Sequence, residues 1–148
     1  MDGIMHEVYL GLGSNLGDRR RNIARAIQLI GERVGQVVRQ SSLMESEPWG
    51  FDSSHLFLNA VVLCRTDKTP RQTLHLTQQI ERDLGRRKTA DSPSVQGGAN
   101  RQYADRPIDI DILLYDDLVV DEPDLKIPHP LMQKRDFVMI PLNEIKQD

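Results

Sequence analysis

Residues 108–112 read Ile-Asp-Ile-Asp-Ile, an unbroken alternation of branched apolar and acidic side chains. In a strand, successive side chains point to opposite faces. The segment therefore predicts a strand over Ile108–Tyr115, with its isoleucines entering a core and Asp109 and Asp111 emerging together on the other side. A strand of this kind has to be one member of a sheet, and the rest of the chain supplies the other members.

Val8–Leu12 predicts a first strand, running into the glycine-rich stretch Gly11-Leu12-Gly13-Ser14-Asn15-Leu16-Gly17. Ile23, Ala26, Ile27, Ile30 and Val34 recur at three- and four-residue steps and predict a helix, with Asp18 at its start and Gly35 at its end. Arg19, Arg20 and Arg21 in its first turn oppose the helix dipole, and their residue types alone offer no reason for it. Gln36–Met44 and Leu56–Arg65 predict two more strands. Thr69-Pro70-Arg71-Gln72 has the signature of a capping box with proline at the first helical position. The helix it opens presents Leu76, Ile80 and Leu84 and stops at Gly85. After the Ile108–Tyr115 strand, Leu118–Val120 predicts a short strand, and Pro128-His129-Pro130 opens a C-terminal region expected to be irregular. Strand, helix, two strands, helix, strand is the order of a ferredoxin-like α/β sandwich, an α+β fold with a mostly antiparallel sheet. The 148 residues are expected to form one domain.

The formal charge is −3, which argues against a nucleic-acid partner held by phosphate neutralisation. Between residues 86 and 106, however, Arg86, Arg87, Lys88, Arg101 and Arg106 outnumber Asp91 and Asp105. A basic segment on an acidic chain points to a local anion site. Its length, Pro93, Gly97 and Gly98 predict a mobile lid loop over 86–106. No apolar run is long enough to span a bilayer, and the N-terminal residues lack a secretory pattern, so a cytoplasmic, membrane-free protein is expected. Cys64, the single cysteine, sits in an apolar stretch and reads as a buried core thiol.

Several residues have chemical potential, each with a plain structural alternative. Asp109 and Asp111 lie about 7 Å apart along a strand and can hold hard cations. They could equally be the acidic solvent face of an edge strand. Gly11–Gly17 follows a strand and precedes a helix, but it has neither Rossmann glycine spacing nor a P-loop lysine, so a tight turn is the simpler account. Arg86 at a helix end complements the dipole without any ligand. Gln78 and Glu81 share a helical face that would by default be solvated. His129 lies between prolines in a turn, where a histidine is more often structural than catalytic. Phe57 and Asn59 share one side of a strand. An amide amid apolar neighbours must be paired, either to backbone or to the polar edge of a heterocycle with an aromatic ring beside it.

Taken together, Gly11-Leu12-Gly13-Ser14-Asn15, Ser46-Glu47-Pro48-Trp49-Gly50, Phe57-Leu58-Asn59-Ala60, Arg106-Pro107-Ile108-Asp109-Ile110-Asp111-Ile112-Leu113, Pro128-His129-Pro130 and Arg135-Asp136-Phe137-Val138-Met139-Ile140-Pro141-Leu142 resemble the 6-hydroxymethyl-7,8-dihydropterin pyrophosphokinase family. The resemblance runs from Val8 to Ile145 and implies transfer of pyrophosphate from ATP to a pterin alcohol, a step of folate biosynthesis, with AMP as the other product. It implies that Asp109 and Asp111 hold two Mg2+ ions. Arg86 and Arg106 would contact phosphates in the transition state, and Lys88 stands where the family usually has a second loop arginine. ATP would be held by Gln78, Glu81, Lys88, Ile112, His129 and Arg135. The pterin would lie among Ser46, Pro48, Trp49 and Asn59, with Phe57 and Phe137 as its stacking rings. Two rivals share the element order or the metal pair: a non-enzymatic RNA-binding module, and another two-metal transferase using a different nucleotide or acceptor. The first needs aromatic and basic residues on the sheet surface, where Asp109 and Asp111 are expected instead.

Overall fold

The computed structural model of the chain describes residues 4–47, 56–85 and 107–146. Its elements are β1 (His6–Ser14), α1 (Arg19–Arg33), β2 (Gln36–Gln40), β3 (Met44–Ser46), β4 (Phe57–Thr66), α2 (Pro70–Asp83), β5 (Asp109–Tyr115), β6 (Val120–Glu122), β7 (Leu125–Ile127) and α3 (Asp136–Ile145). The main sheet runs β2-β4-β1-β5, with β3 also on β4, and every pairing in it is antiparallel. β6 and β7 form a separate two-stranded hairpin. The 86–106 segment expected to be a lid lies outside the described residues.

Alternation along the strands divides the side chains into two cores. Val8, Leu10 and Leu12 of β1, Leu58, Ala60, Val62 and Cys64 of β4, and Ile110 and Ile112 of β5 bury against Ile23, Ala26 and Ile30 of α1 and Ile80 of α2. Fully burying one such branched side chain contributes about 1.5–3 kcal/mol. Burial also pushes the Cys64 thiol up to about 11, as suits an inert core residue. On the opposite face Val61, Leu63 and Leu113 meet Val138, Leu142 and Ile145 of α3. The sheet is thus covered by α1 and α2 on one face and, in part, by α3 on the other.

The starts of α1 and α2 match their sequence signals. Asp18 caps α1 by accepting from the Arg21 amide. In α2, Thr69 accepts from the Gln72 amide while the Gln72 side chain accepts from that of Thr69. Gly85 takes a φ of +108 after α2, a conformation that costs glycine least.

The structure corrects three expectations about the secondary-structure elements. The strand expected over Gln36–Met44 is two strands, because Ser41 and Ser42 divert the chain. Ser41 Oγ accepts from the Val61 amide, and Ser42 donates through its amide and its hydroxyl to Glu144 of α3. Between the pairs Gln40–Val62 and Met44–Asn59 the chain advances four residues against three on β4, so one residue is extra. The short strand expected at Leu118–Val120 lies further on, at Val120–Glu122. The C-terminal region is not irregular: it holds a 3-10 turn at Met132–Lys134 and the ten-residue α3. Pro141 inside α3 disguised it, since proline removes an amide from the helical ladder. Burial of Val138, Pro141, Leu142 and Ile145 holds the helix in place despite that loss.

Gly35, between α1 and β2, is required by close approach: a Cβ there would fall far inside van der Waals contact distance of the Arg65 carbonyl oxygen. The obstruction is backbone and cannot swing away. Gly35→Ala is expected to destabilise the protein by about 3 kcal/mol or more, read as a fall in the urea midpoint. An unchanged midpoint would mean that this junction opens freely.

Candidate functional site

On the face that α3 only partly covers, the sheet forms the floor of an open cleft. Gly11 and Gly13 of β1, Phe57, Asn59 and Val61 of β4, and Asp109, Asp111 and Leu113 of β5 line the floor. Ser46 and Glu47 form one wall, and Arg135, Phe137 and Val138 at the start of α3 form another. Period two explains most of the selection: these residues are opposite in parity to those buried under α1 and α2, while Leu12 and Ala60, of the buried parity, also border the cleft.

Register explains the cleft's depth. Gly11 pairs with Asp111 and Gly13 with Asp109, so no β1 side chain rises beside either carboxylate. A Cβ at Gly13 would lie 3.4 Å from both Asn59 Oδ1 and Phe57 Cδ1, and one at Gly11 would lie 3.4 Å from Leu113. The glycine-rich stretch is therefore not mainly a turn. β1 continues through it to Ser14, and only Gly17, with φ +72, turns the chain. Its role in the floor was the signal missed in the sequence: two glycines at strand spacing, on the parity of the future site.

Asn59 is 4% exposed and spends both amide hydrogens on β3, donating to the Met44 carbonyl at 2.9 Å and to Ser46 Oγ at 2.8 Å. Backbone pairing and a place in the cleft thus coexist, with Oδ1 on the side of Gly13. Phe57 and Phe137 contribute rings from the floor and the α3 wall, and the Arg135 guanidinium carbon stands 5.7 Å from the Phe137 centroid.

A bulge at the end of β5 places His129. Tyr9 pairs with Leu114 and Leu10 with Ile112, which makes Leu113 the extra residue. The Leu113 carbonyl accepts from the His129 amide at 3.0 Å. The Leu131 amide in turn donates to His129 Nδ1 at 3.2 Å, leaving the ring proton on Nε2. Burial chiefly, then the charge of Arg135, holds this imidazole below its usual range, while Asp109 pulls the other way. His129, Arg135 and Asp109 thus form one electrostatic neighbourhood.

Ser46, Phe57, Asn59, Asp109, Asp111, Arg135 and Phe137 all line the cleft. Gln78, Glu81, Ile112 and His129 do not; Gln78 is exposed on α2. Glu81 is not on a solvated face: it is 7% exposed, and its Oε2 accepts from the Ile110 amide at 2.7 Å, tying α2 to β5. Pro48, Trp49, Arg86, Lys88 and Arg106 lie outside the described residues. Among the described residues no three His, Cys, Asp or Glu side chains converge on a metal position. Nor is any helix among them long and apolar enough to cross a membrane.

Fold and site together define a class: an antiparallel α/β sandwich whose sheet carries paired carboxylates beside an aromatic and amide pocket. A profile of the 7,8-dihydro-6-hydroxymethylpterin-pyrophosphokinase family matches residues 9–147, and the chain belongs to that family. It is 49% identical over 139 residues to a 2-amino-4-hydroxy-6-hydroxymethyldihydropteridine pyrophosphokinase of Porphyromonas gingivalis, covering 93% of this chain and 89% of the relative. The same name is borne by an Aquifex aeolicus protein, 39% identical over 142 residues, with 96% of this chain and 81% of that one covered. Among solved structures, Plasmodium falciparum HPPK-DHPS with pterin and p-hydroxybenzoate superposes with a TM-score of 0.70 at 16% identity, which speaks for the fold. That match covers 97% of this chain and 39% of the Plasmodium chain.

The depressed His129 gives stability a pH dependence. Near the ordinary histidine value of 6.5 the unfolded chain takes up a proton that the folded one still resists. This contribution is whole above that value and is lost as pH falls through the folded-state one. Wild type should therefore lose more stability than His129→Gln between pH 7.5 and 5, measured by urea unfolding. Equal losses would mean the imidazole titrates alike in both states.

Proposed function

We propose that this cleft transfers the pyrophosphoryl group of ATP to the hydroxymethyl oxygen of 6-hydroxymethyl-7,8-dihydropterin. The observation that carries the reading is the juxtaposition of Asp109 and Asp111 with Ser46, Phe57, Asn59 and Phe137 in one cleft of a chain from this family. The pterin ring stacks between Phe57 and Phe137, and its polar edge meets Asn59 Oδ1 and Ser46. The hydroxymethyl group then faces the aspartates. Its oxygen attacks the β-phosphorus of ATP in line, the bond between that phosphorus and the α–β bridging oxygen breaks, and AMP leaves with that oxygen. The alcohol proton passes to solvent; positioning and charge neutralisation suffice without a dedicated base.

The residues present suit Mg2+, which takes one or two carboxylates and fills its other positions with water and phosphate oxygens. Asp109 and Asp111 supply hard oxygen donors only, and the glycines paired with them place no side chain beside the carboxylates. Two such ions, when bound, neutralise the charge of the triphosphate. Arg135 adds a cation lining the cleft, and we assign His129, which lies outside the cleft lining, an ATP contact through its Nε2–H. We assign ATP contacts also to Gln78, Glu81 and Ile112 along the outer side of β5, and to Lys88. Glu81 would give up or share its bond to Ile110 on contacting a nucleotide. Arg86 and Arg106 are assigned to the transferring phosphates, and Pro48 and Trp49 to the pterin. The cytoplasm, where ATP and Mg2+ are abundant, suits this chemistry.

Incubating the protein with Mg2+, ATP and the pterin should yield AMP and the pterin diphosphate; ADP as the nucleotide product would instead make it an ordinary kinase. Asp109→Ala and Asp111→Ala should each cut turnover at least a hundredfold, about 3 kcal/mol, with the unfolding temperature nearly unchanged. Retention of most activity at saturating Mg2+ would remove the metal role.

Asn59→Ala should weaken pterin binding by about 1–3 kcal/mol and leave ATP binding nearly intact, as titration calorimetry would show. Equal loss of both ligands, or a general loss of stability from freeing β3, would reduce Asn59 to a structural pin.

A further inference from the structure

The arginines at the start of α1 oppose the helix dipole, so their presence needs a compensating contact. For Arg19 the structure shows one. Its Nη2 donates to Glu45 Oε2 at 2.8 Å, and its Nη1 donates to the Leu56 backbone carbonyl at 3.1 Å. One planar guanidinium therefore holds β3 and the entry to β4 together, and anchors both to the helix that follows the Gly11–Gly17 stretch. A lysine, with a single nitrogen on a flexible stem, cannot reproduce that fork.

The residues joined are immediate neighbours of the pocket. Glu45 precedes Ser46, and Leu56 precedes Phe57. Glu45 pairs with Leu58, which is buried under α1, while Ser46 pairs with Phe57 and Met44 with Asn59 on the cleft side. Arg19 thus grips the sheet from behind, at the strand positions that carry the pocket groups in front. Asn59 completes the arrangement by hydrogen-bonding Met44 and Ser46 across the same pair of strands. As an ordinary surface ion pair Arg19–Glu45 would matter little, since its side chains are 31% and 53% exposed. Its second bond, to the chain just ahead of Phe57, is what gives it leverage on the site.

We propose that Arg19 is a positioning residue that fixes the spacing of Ser46 against Phe57 and Asn59, and so sets affinity for the pterin but not for ATP. The proposal rests on the reading of the cleft as a pterin site, which the wild-type production of AMP tests independently. With wild type active, steady-state kinetics of Arg19→Ala should show KM for the pterin raised about tenfold. Its KM for ATP and its kcat should stay within about twofold of wild type. Arg19→Lys should recover only part of the loss, and Glu45→Ala should fall between wild type and Arg19→Ala. Adding Glu45→Ala to Arg19→Ala should cost little more, because the contact is already gone. An unchanged pterin KM in a folded Arg19→Ala variant overturns the proposal. So does a parallel rise of both KM values, or full rescue by lysine, since these fit a merely structural charge. Should Arg19→Ala fold poorly, the Glu45→Ala variant alone decides by the same KM split. Absence of AMP from wild type would instead overturn the cleft's assignment and leave the Arg19 clip as an unassigned structural feature.

Discussion

The pairing of β1 with β5 governs the site more than any single side chain does. It sets Gly11 against Asp111 and Gly13 against Asp109, so that two carboxylates stand beside a strip of bare backbone. Moved by one residue, β5 would turn its isoleucines to the cleft and its aspartates into the core, where unpaired charge is prohibitively costly. Burial of Ile110 and Ile112 under α1 and α2 therefore secures the position of the acidic groups as firmly as any contact they make themselves. The same parity on β4 brings Phe57 and Asn59 to the cleft, and the α3 wall completes it. Core formation and site assembly are one event in this sheet.

That coupling explains which parts of the molecule were legible in the sequence. Ile108–Ile112 announced both its strand and its two faces, because alternation over five residues has few other meanings. Thr69-Pro70-Arg71-Gln72 announced the start of α2 through purely local chemistry, and the capping box is present as expected. The pairing of Phe57 with Asn59 on one side of a strand followed from the same counting rule, and both line the cleft.

What stayed hidden depended on partners distant in the chain. The break at Ser41–Leu43 comes from bonds to Val61 and Glu144, the latter about a hundred residues away. α3 carries a proline that argues locally against a helix, and only its buried face against Val61, Leu63 and Leu113 overrides it. Glu81 looked like one polar residue among others on α2 until β5 supplied an amide for it. Gly11 and Gly13 carried the opposite ambiguity: glycine suits both a turn and a strand that must leave room, and only the register against β5 separates the two. The role proposed for Arg19 needed α1, β3 and β4 in place before its unfavourable position on the helix made sense.

The bond from Glu81 to Ile110 has a further meaning for how this protein behaves among its own copies. Among the described strands β5 is the last of its sheet, and an open last strand invites another chain to add to it. Here a nearly buried carboxylate occupies the outward amide of Ile110, and the chain at His129 occupies the carbonyl of Leu113 a few residues on. A strand arriving from a neighbouring molecule would have to evict both and strand a carboxylate away from water. Strand addition at this edge is thereby opposed by one side chain and by the main chain at His129, at the margin where the proposed nucleotide contacts begin.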